Sequence, residues 1–132
     1  MGFAVVVDST LDMSAEEYQA LNITMVPLNI LVGEDEFKDQ VEISSEEFYK
    51  RMSEAAELPK TAQPAPFDFA QAYERLAHEG CEGIISLHIA GVLSGTVESA
   101  RTAAGQVDVD VRVIDSACCT AQAALQVKQL CA

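Results

Sequence analysis

MGFAVVVDSTLDMSAEEYQALNITMVPL, residues 1–28, is the stretch on which the fold turns. Phe3–Val7 is an unbroken apolar run, the pattern of a strand buried on both faces of a parallel sheet. Asp8-Ser9-Thr10 follows at its C-terminal end. Asp12 or Ser14 then offers a cap for a helix, and Glu16 and Glu17 suit the positive end of the helix dipole. That helix closes near Leu21-Asn22, and Ile23–Leu28 reads as a second strand.

Beyond residue 28 the alternation continues. Asn29–Val32 and Phe37 flank Gly33-Glu34-Asp35 as a hairpin. Ser44 or Ser45 caps a helix that Pro59 closes. Thr61-Ala62-Gln63-Pro64-Ala65-Pro66 is expected to be a stiff loop outside regular structure, because its two prolines remove donors and restrict their neighbours. Phe67–His78 is a helix with Phe69, Tyr73 and Leu76 on one side, stopped by Gly80. Ile84–Ile89 is a third strand, Gly91–Gly95 a turn and Val97–Val107 a helix. Val109–Ile114 is a fourth strand followed by Asp115-Ser116, and Ala117–Leu130 is a last helix. This order predicts a three-layer α/β/α domain with a mainly parallel four-stranded sheet and right-handed crossovers.

Composition narrows the function classes. The 132 residues suffice for one domain that buries about two-thirds of the surface its unfolded chain exposes. A hydrophobic fraction of 49% argues against disorder. No stretch reaches the roughly 20 apolar residues a membrane span needs, and the N-terminus reads as a strand rather than a leader. The formal net charge is -13, with 13 acids against 4 bases in residues 1–60 and 8 against 4 in residues 61–132. That field disfavours nucleic acid and anionic membranes. Cys81, Cys118, Cys119 and Cys131 fit neither a zinc site nor a CxxC pair, so reduced, packed thiols in the cytoplasm are expected. No cofactor or metal is expected.

In open α/β sheets, ligands bind beyond the C-terminal ends of the strands. Asp8, Ser9 and Thr10, then His88, then Asp115 and Ser116 fall there. Thr61 and Gln63 supply a hydroxyl and an amide from the proline-stiffened loop. Ser94, Gly95 and Thr96 stand at a helix N-terminus, where unpaired N–H groups can hold a carboxylate or phosphate; helix capping is the plainer role. An enzyme remains an alternative, as a phosphatase-like hydrolase using Asp8 or a serine-dependent one using Ser94. Against it, Thr10 stands where haloacid-dehalogenase-like phosphatases carry a second Asp, and Ser94 lacks the GxSxG elbow. A non-functional truncated fragment is the third reading. No GxGxxG or GxxxxGK[ST] motif occurs.

Taken together these segments resemble the DegV family. VVVDSTLDMS resembles its first strand and Asp-Ser-Thr turn. Lys60-Thr61-Ala62-Gln63-Pro64-Ala65-Pro66 is similar to its Lys-Thr-Ser-Gln-Pro-Ser-Pro loop, with alanines for both serines. Ile89-Ala90-Gly91-Val92-Leu93-Ser94-Gly95-Thr96 resembles its Ser-Gly-Leu-Ser-Gly-Thr signature, and Val113-Ile114-Asp115-Ser116 its fourth strand. The resemblance implies binding of a long-chain fatty acid, its carboxylate held by Thr61 and Ser94 with help from the glycine turn. It also implies presentation of that carboxylate to a separate ATP-dependent fatty acid kinase, with no phosphoryl-transfer chemistry in this chain. Family proteins are about twice as long, so residues 1–132 correspond to the N-terminal α/β domain, with the second, lipid-pocket domain absent from this chain. An acyl-facing surface left open would favour a homodimer.

Overall fold

The structure is a computed structural model describing residues 2–131. The elements run β1 (Phe3–Asp8), a 3-10 turn (Ser9–Leu11), α1 (Ala15–Ala20), β2 (Ile23–Val26), β3 (Asn29–Val32) and β4 (Asp35–Lys38). There follow α2 (Ser45–Glu54), β5 (Lys60–Ala62), α3 (Pro66–His78), β6 (Gly83–His88), α4 (Thr96–Ala104), β7 (Asp110–Asp115) and α5 (Thr120–Cys131).

The two-residue period of a strand creates the layers. In β1, Val5 and Val7 join a core with Tyr18 of α1 and Ala123, Ala124 and Val127 of α5. Ala4 and Val6 face the other way, onto Phe69, Tyr73 and Leu76 of α3 and Ala100 and Ala103 of α4. Strand β6 divides alike, Leu87 to the first core and Ile84 to the second. Each fully buried Val, Leu or Ile contributes roughly 1.5–3 kcal/mol, so both cores clamp the sheet. The sheet order is β2-β1-β6-β7, and every pairing is parallel. The expected α/β/α domain with a four-stranded sheet is therefore present.

Strand order reverses between β1 and β6, since β1 leads outward to β2 and β6 leads outward to β7. That is the topological switch point, where the C-terminal ends of adjacent strands diverge and leave a crevice.

Several boundaries differ from the sequence reading. Lys60–Ala62 is a strand, pairing antiparallel with β3 through Ile30↔Thr61 and Leu31↔Lys60. With β4 it makes a separate three-stranded sheet, order β4-β3-β5. Pro64 and Pro66 do not prevent this. A proline constrains itself and the residue before it, and Thr61 lies clear of both. Pro66 instead occupies the first turn of α3, where a missing N–H costs nothing. Helix α2 ends at Glu54, before Pro59, as Ala55 turns extended. Ser14 and not Asp12 caps α1, its Oγ accepting from Glu17 N–H while the Glu17 carboxylate accepts from Ser14 N–H. Helix α5 begins at Thr120, after Ala117 and Thr120 take positive φ. Helix α4 ends at Ala104, so Val107 precedes β7 as connecting chain.

Candidate functional site

At the switch point a buried polar chain joins three elements. Tyr73 of α3 has no exposed surface, and its hydroxyl lies 2.7 Å from Ser86 Oγ. Ser86 Oγ is 2.6 Å from His88 Nε2, and His88 Nδ1 is 3.1 Å from Asp8 Oδ2. Asp8 also accepts from Ile89 N–H at 2.9 Å, from Thr10 N–H at 2.8 Å and from the Thr10 hydroxyl. The His88 and Phe69 rings meet edge to face, with centroids 4.9 Å apart.

Burial pushes the Asp8 carboxyl up. The His88 hydrogen bond and charge, the Thr10 bond and the Ile89 N–H together outweigh it and hold the group below its usual 3.8. An ionised Asp8 orders the chain when the imidazole is neutral. Nδ1–H then donates to Asp8, Nε2 accepts from Ser86 O–H, and Ser86 accepts from Tyr73 O–H. Burial pushes the Tyr73 phenol up to about 12, so it stays a donor.

A second aspartate works on the same loop from the other side. Asp115, at the end of β7, accepts from Gly91 N–H at 3.1 Å and from Ala117 N–H at 2.9 Å. These backbone bonds hold its carboxyl below the usual range. The segment leaving β6 is thus gripped at Ile89 by Asp8 and at Gly91 by Asp115. Ala90 N–H also donates to Cys118 O, and Ser116 N–H to His88 O.

Above this floor lies a cleft of about 390 Å³. Its walls are Thr10 from the 3-10 turn, Leu28 and Asp39 flanking the small sheet, and Thr61 and Gln63 from β5 and the residues after it. Ile89, Leu93, Ser94 and Gly95 complete it from the loop after β6. The cleft spans both sheets, joined here by Leu28 N–H donating to Ser9 Oγ at 3.0 Å. Ser94 Oγ lies 2.8 Å from Thr96 Oγ1 and accepts from Thr96 N–H, so it caps the turn while still facing the cleft. Gly95 permits the close approach. A Cβ there would meet Gln63 Nε2 at 3.0 Å.

The structure divides the residues named from sequence into two groups. Thr61, Gln63, Ser94 and Gly95 line the cleft together. Asp8 and His88 have no exposed surface, Thr96 none and Ser9 2%, so these four stand behind the wall and position it. Tyr73, Ser86 and Asp39 were missed by sequence reasoning. Ser86 and His88 share one strand face by their i, i+2 spacing, and a tyrosine on the apolar face of α3 demands a partner. Those were the available signals.

A larger groove of about 660 Å³ runs between β2 and α3, and its Lys38 and Arg75 are paired. Lys38 pairs with Asp68, and Arg75 with Glu79 and Thr24. Among the described residues there is no cluster of three or more His, Cys, Asp or Glu side chains suited to a metal, and no helix long and apolar enough to cross a membrane.

A family model described as "Uncharacterised protein, DegV family" matches residues 2–132. The chain belongs to the DegV family. A DegV domain-containing protein of Deinococcus radiodurans is 41% identical over 127 residues, covering 96% of this chain and 45% of that protein. A structure described as fatty acid binding of a DegV family protein from Thermus thermophilus superimposes with a TM-score of 0.89 at 35% identity, covering 99% of this chain and 46% of that one. The Streptococcus pneumoniae Fatty Acid Kinase (Fak) B3 protein, loaded with linoleic acid, gives 0.78 at 29% identity, covering 98% and 47%. The chain spans less than half the length of the curated DegV relatives it matches.

Proposed function

We propose that this chain is the N-terminal α/β half of a fatty-acid-binding DegV protein, and that its cleft receives the ligand carboxyl. The observation that carries the reading is the meeting of Thr61, from β5, and Ser94, from the loop after β6, in one cleft with Gln63. Hydroxyl and amide donors suit a carboxyl head group without a salt bridge, which leaves an oxygen available to a partner. Leu28, Ile89 and Leu93 give the cleft an apolar side, and Val92 beside it is 95% exposed. The acyl tail would leave along such a surface, contributing roughly 0.8 kcal/mol per buried CH₂ once covered. A second domain supplies that cover in this reading, or a second copy of this chain in its place. The likeness to a Fatty Acid Kinase (Fak) B3 protein supports presentation of the carboxyl to a separate ATP-dependent kinase.

The hydrolase alternative finds little support in the geometry. Four donors occupy the Asp8 carboxylate, and both His88 nitrogens are engaged away from Ser94. Neither an aspartyl nucleophile nor a Ser94–His88 pair is arranged.

Organic extraction of the purified folded chain, followed by mass spectrometry, should yield a C14–C18 fatty acid. Thr61→Ala and Ser94→Ala should each weaken binding by about tenfold or more, the worth of one hydrogen bond to a charged group. Binding unchanged in both variants would sink the assignment of the head-group site.

A further inference from the structure

Among the described residues lining the head-group cleft, Asp39 is the only side chain that titrates, and it is an acid. A carboxyl ligand at Thr61 and Ser94 must therefore share roughly one small cleft with a second carboxyl. The segment carrying Asp39 is fixed: its N–H donates to Leu28 O at 2.9 Å, and it bridges to Ile43. Ser9, whose Oγ accepts from Leu28 N–H, acts on the Asp39 carboxyl in the opposite sense to its burial. Two carboxylates brought to one cleft repel each other, and closely paired acids hold one proton between them.

Among the described residues, the base adjacent in sequence is engaged elsewhere. Lys38, the adjacent base, reaches toward Asp68 at 3.8 Å. The 3-10 turn contributes Asp12 at its end, whose charge opposes ionisation of Asp39. Helix α1 contributes Tyr18, whose phenol burial and the surrounding aspartates push up to about 12. Asp8, beneath, is committed to His88 and Thr10. The walls from β5 and from the loop after β6 bring Thr61, Gln63, Ile89, Leu93, Ser94 and Gly95, none of which titrates. Burial, first, and Asp12 raise the Asp39 carboxyl above its ordinary range against the Ser9 and Gln40 bonds.

We propose that Asp39 shares a single proton with the carboxyl of the bound fatty acid, so that the cleft takes up ligand and proton together. The proposal rests on the fatty-acid reading and adds a selection rule to it. One solvent proton joins one ligand carboxylate and one Asp39 carboxylate, and the bound pair carries a single negative charge. Asp39 thereby discriminates by protonation state, and a permanently anionic head group such as a sulfonate is refused.

The test is calorimetric titration of the whole chain with decanoic acid and with decanesulfonate between pH 5.5 and 8.5, in buffers of different ionisation enthalpy. The ¹³C-carboxyl resonance of bound decanoic acid is followed in parallel. Wild type should take up close to one proton per ligand near pH 7, and its affinity should fall about tenfold per pH unit on the alkaline side. The bound carboxyl should titrate above the free acid, and the sulfonate should bind at least tenfold more weakly. Asp39→Asn, with Asp39→Ser as a second variant and thermal melts to verify folding, should lose the proton uptake and the pH slope and should admit the sulfonate. Equal slopes and equal proton uptake in wild type and both variants would overturn the role of Asp39 while leaving the fatty-acid reading intact. Absence of decanoic acid binding by wild type at every pH would overturn both.

Discussion

The β1 corner and the β7 corner carry the same two letters, Asp-Ser, and hold the same loop, yet they are built in opposite ways. Asp8 is wholly buried and spends its charge on a histidine, a threonine and a backbone N–H. Asp115 is exposed and grips only backbone, at Gly91 and Ala117. A buried carboxylate must be matched donor for donor, or it costs several kcal/mol; an exposed one can trade its partners for water. The β1 corner therefore belongs to the stability of the domain, and the β7 corner to the shape of one loop.

The largest expected effect separates the two corners directly. Asp8→Ala leaves His88 and Ile89 N–H buried without their acceptor and should cost about 3–5 kcal/mol in urea unfolding. Asp115→Ala should shift the same midpoint far less. Equal losses would show that the corners are energetically alike. Tyr73→Phe comes next. It removes one of the two partners of Ser86 and should cost about 1–2 kcal/mol by the same measurement.

Acid sharpens the contrast. Both aspartates have folded pKa values below the unfolded 3.8, so each contributes stability that is present above about pH 4 and is lost as pH falls through its folded value. Stability measured from pH 6 down to pH 2 should fall, and Asp8→Asn should flatten that fall. Added salt should leave most of both parts in place, because each carboxylate is held chiefly by hydrogen bonds at contact distance and only the minor Arg101 contribution at Asp115 is open to screening. An acid profile in Asp8→Asn as steep as that of wild type would contradict this division. The smallest expected change is at Gly91. A Cβ there would meet Asp115 Oδ2 at 2.9 Å, so Gly91→Ala should loosen the exposed clasp, weakening fatty-acid binding severalfold with little change in the unfolding midpoint.

The layered fold was legible because β1 and β6 are continuous apolar runs and the helices carry apolar faces at helical spacing. Thr61 and Ser94, which line one cleft, were singled out in the sequence through motif resemblance, and Asp8 and His88 through their place at strand ends. That the latter two lie under the cleft was not legible: a strand's C-terminal residue faces solvent or core according to its register, and register is set by pairing with β2 and β7. The strand at Lys60–Ala62 was hidden for a related reason. Three residues are too few to show a period, and their extended state comes from the exposed edge that β3 offers. Asp39 was invisible because its importance arises from Thr61, 22 residues downstream, folding back beside it.

The cleft has one wall on each of two sheets, with Leu28 N–H to Ser9 Oγ as the stitch between them. Sheets that close separately open separately, and the short antiparallel one has far less core beneath it. A chain whose parallel sheet is complete but whose small sheet has swung free would pass most tests of foldedness and still have no receptor. Any molecule that touches both walls fastens them, and by linkage stabilises the closed form in proportion to its occupancy. Loading and final folding are then one event, and amide exchange at β3 and β5 would serve as an occupancy gauge.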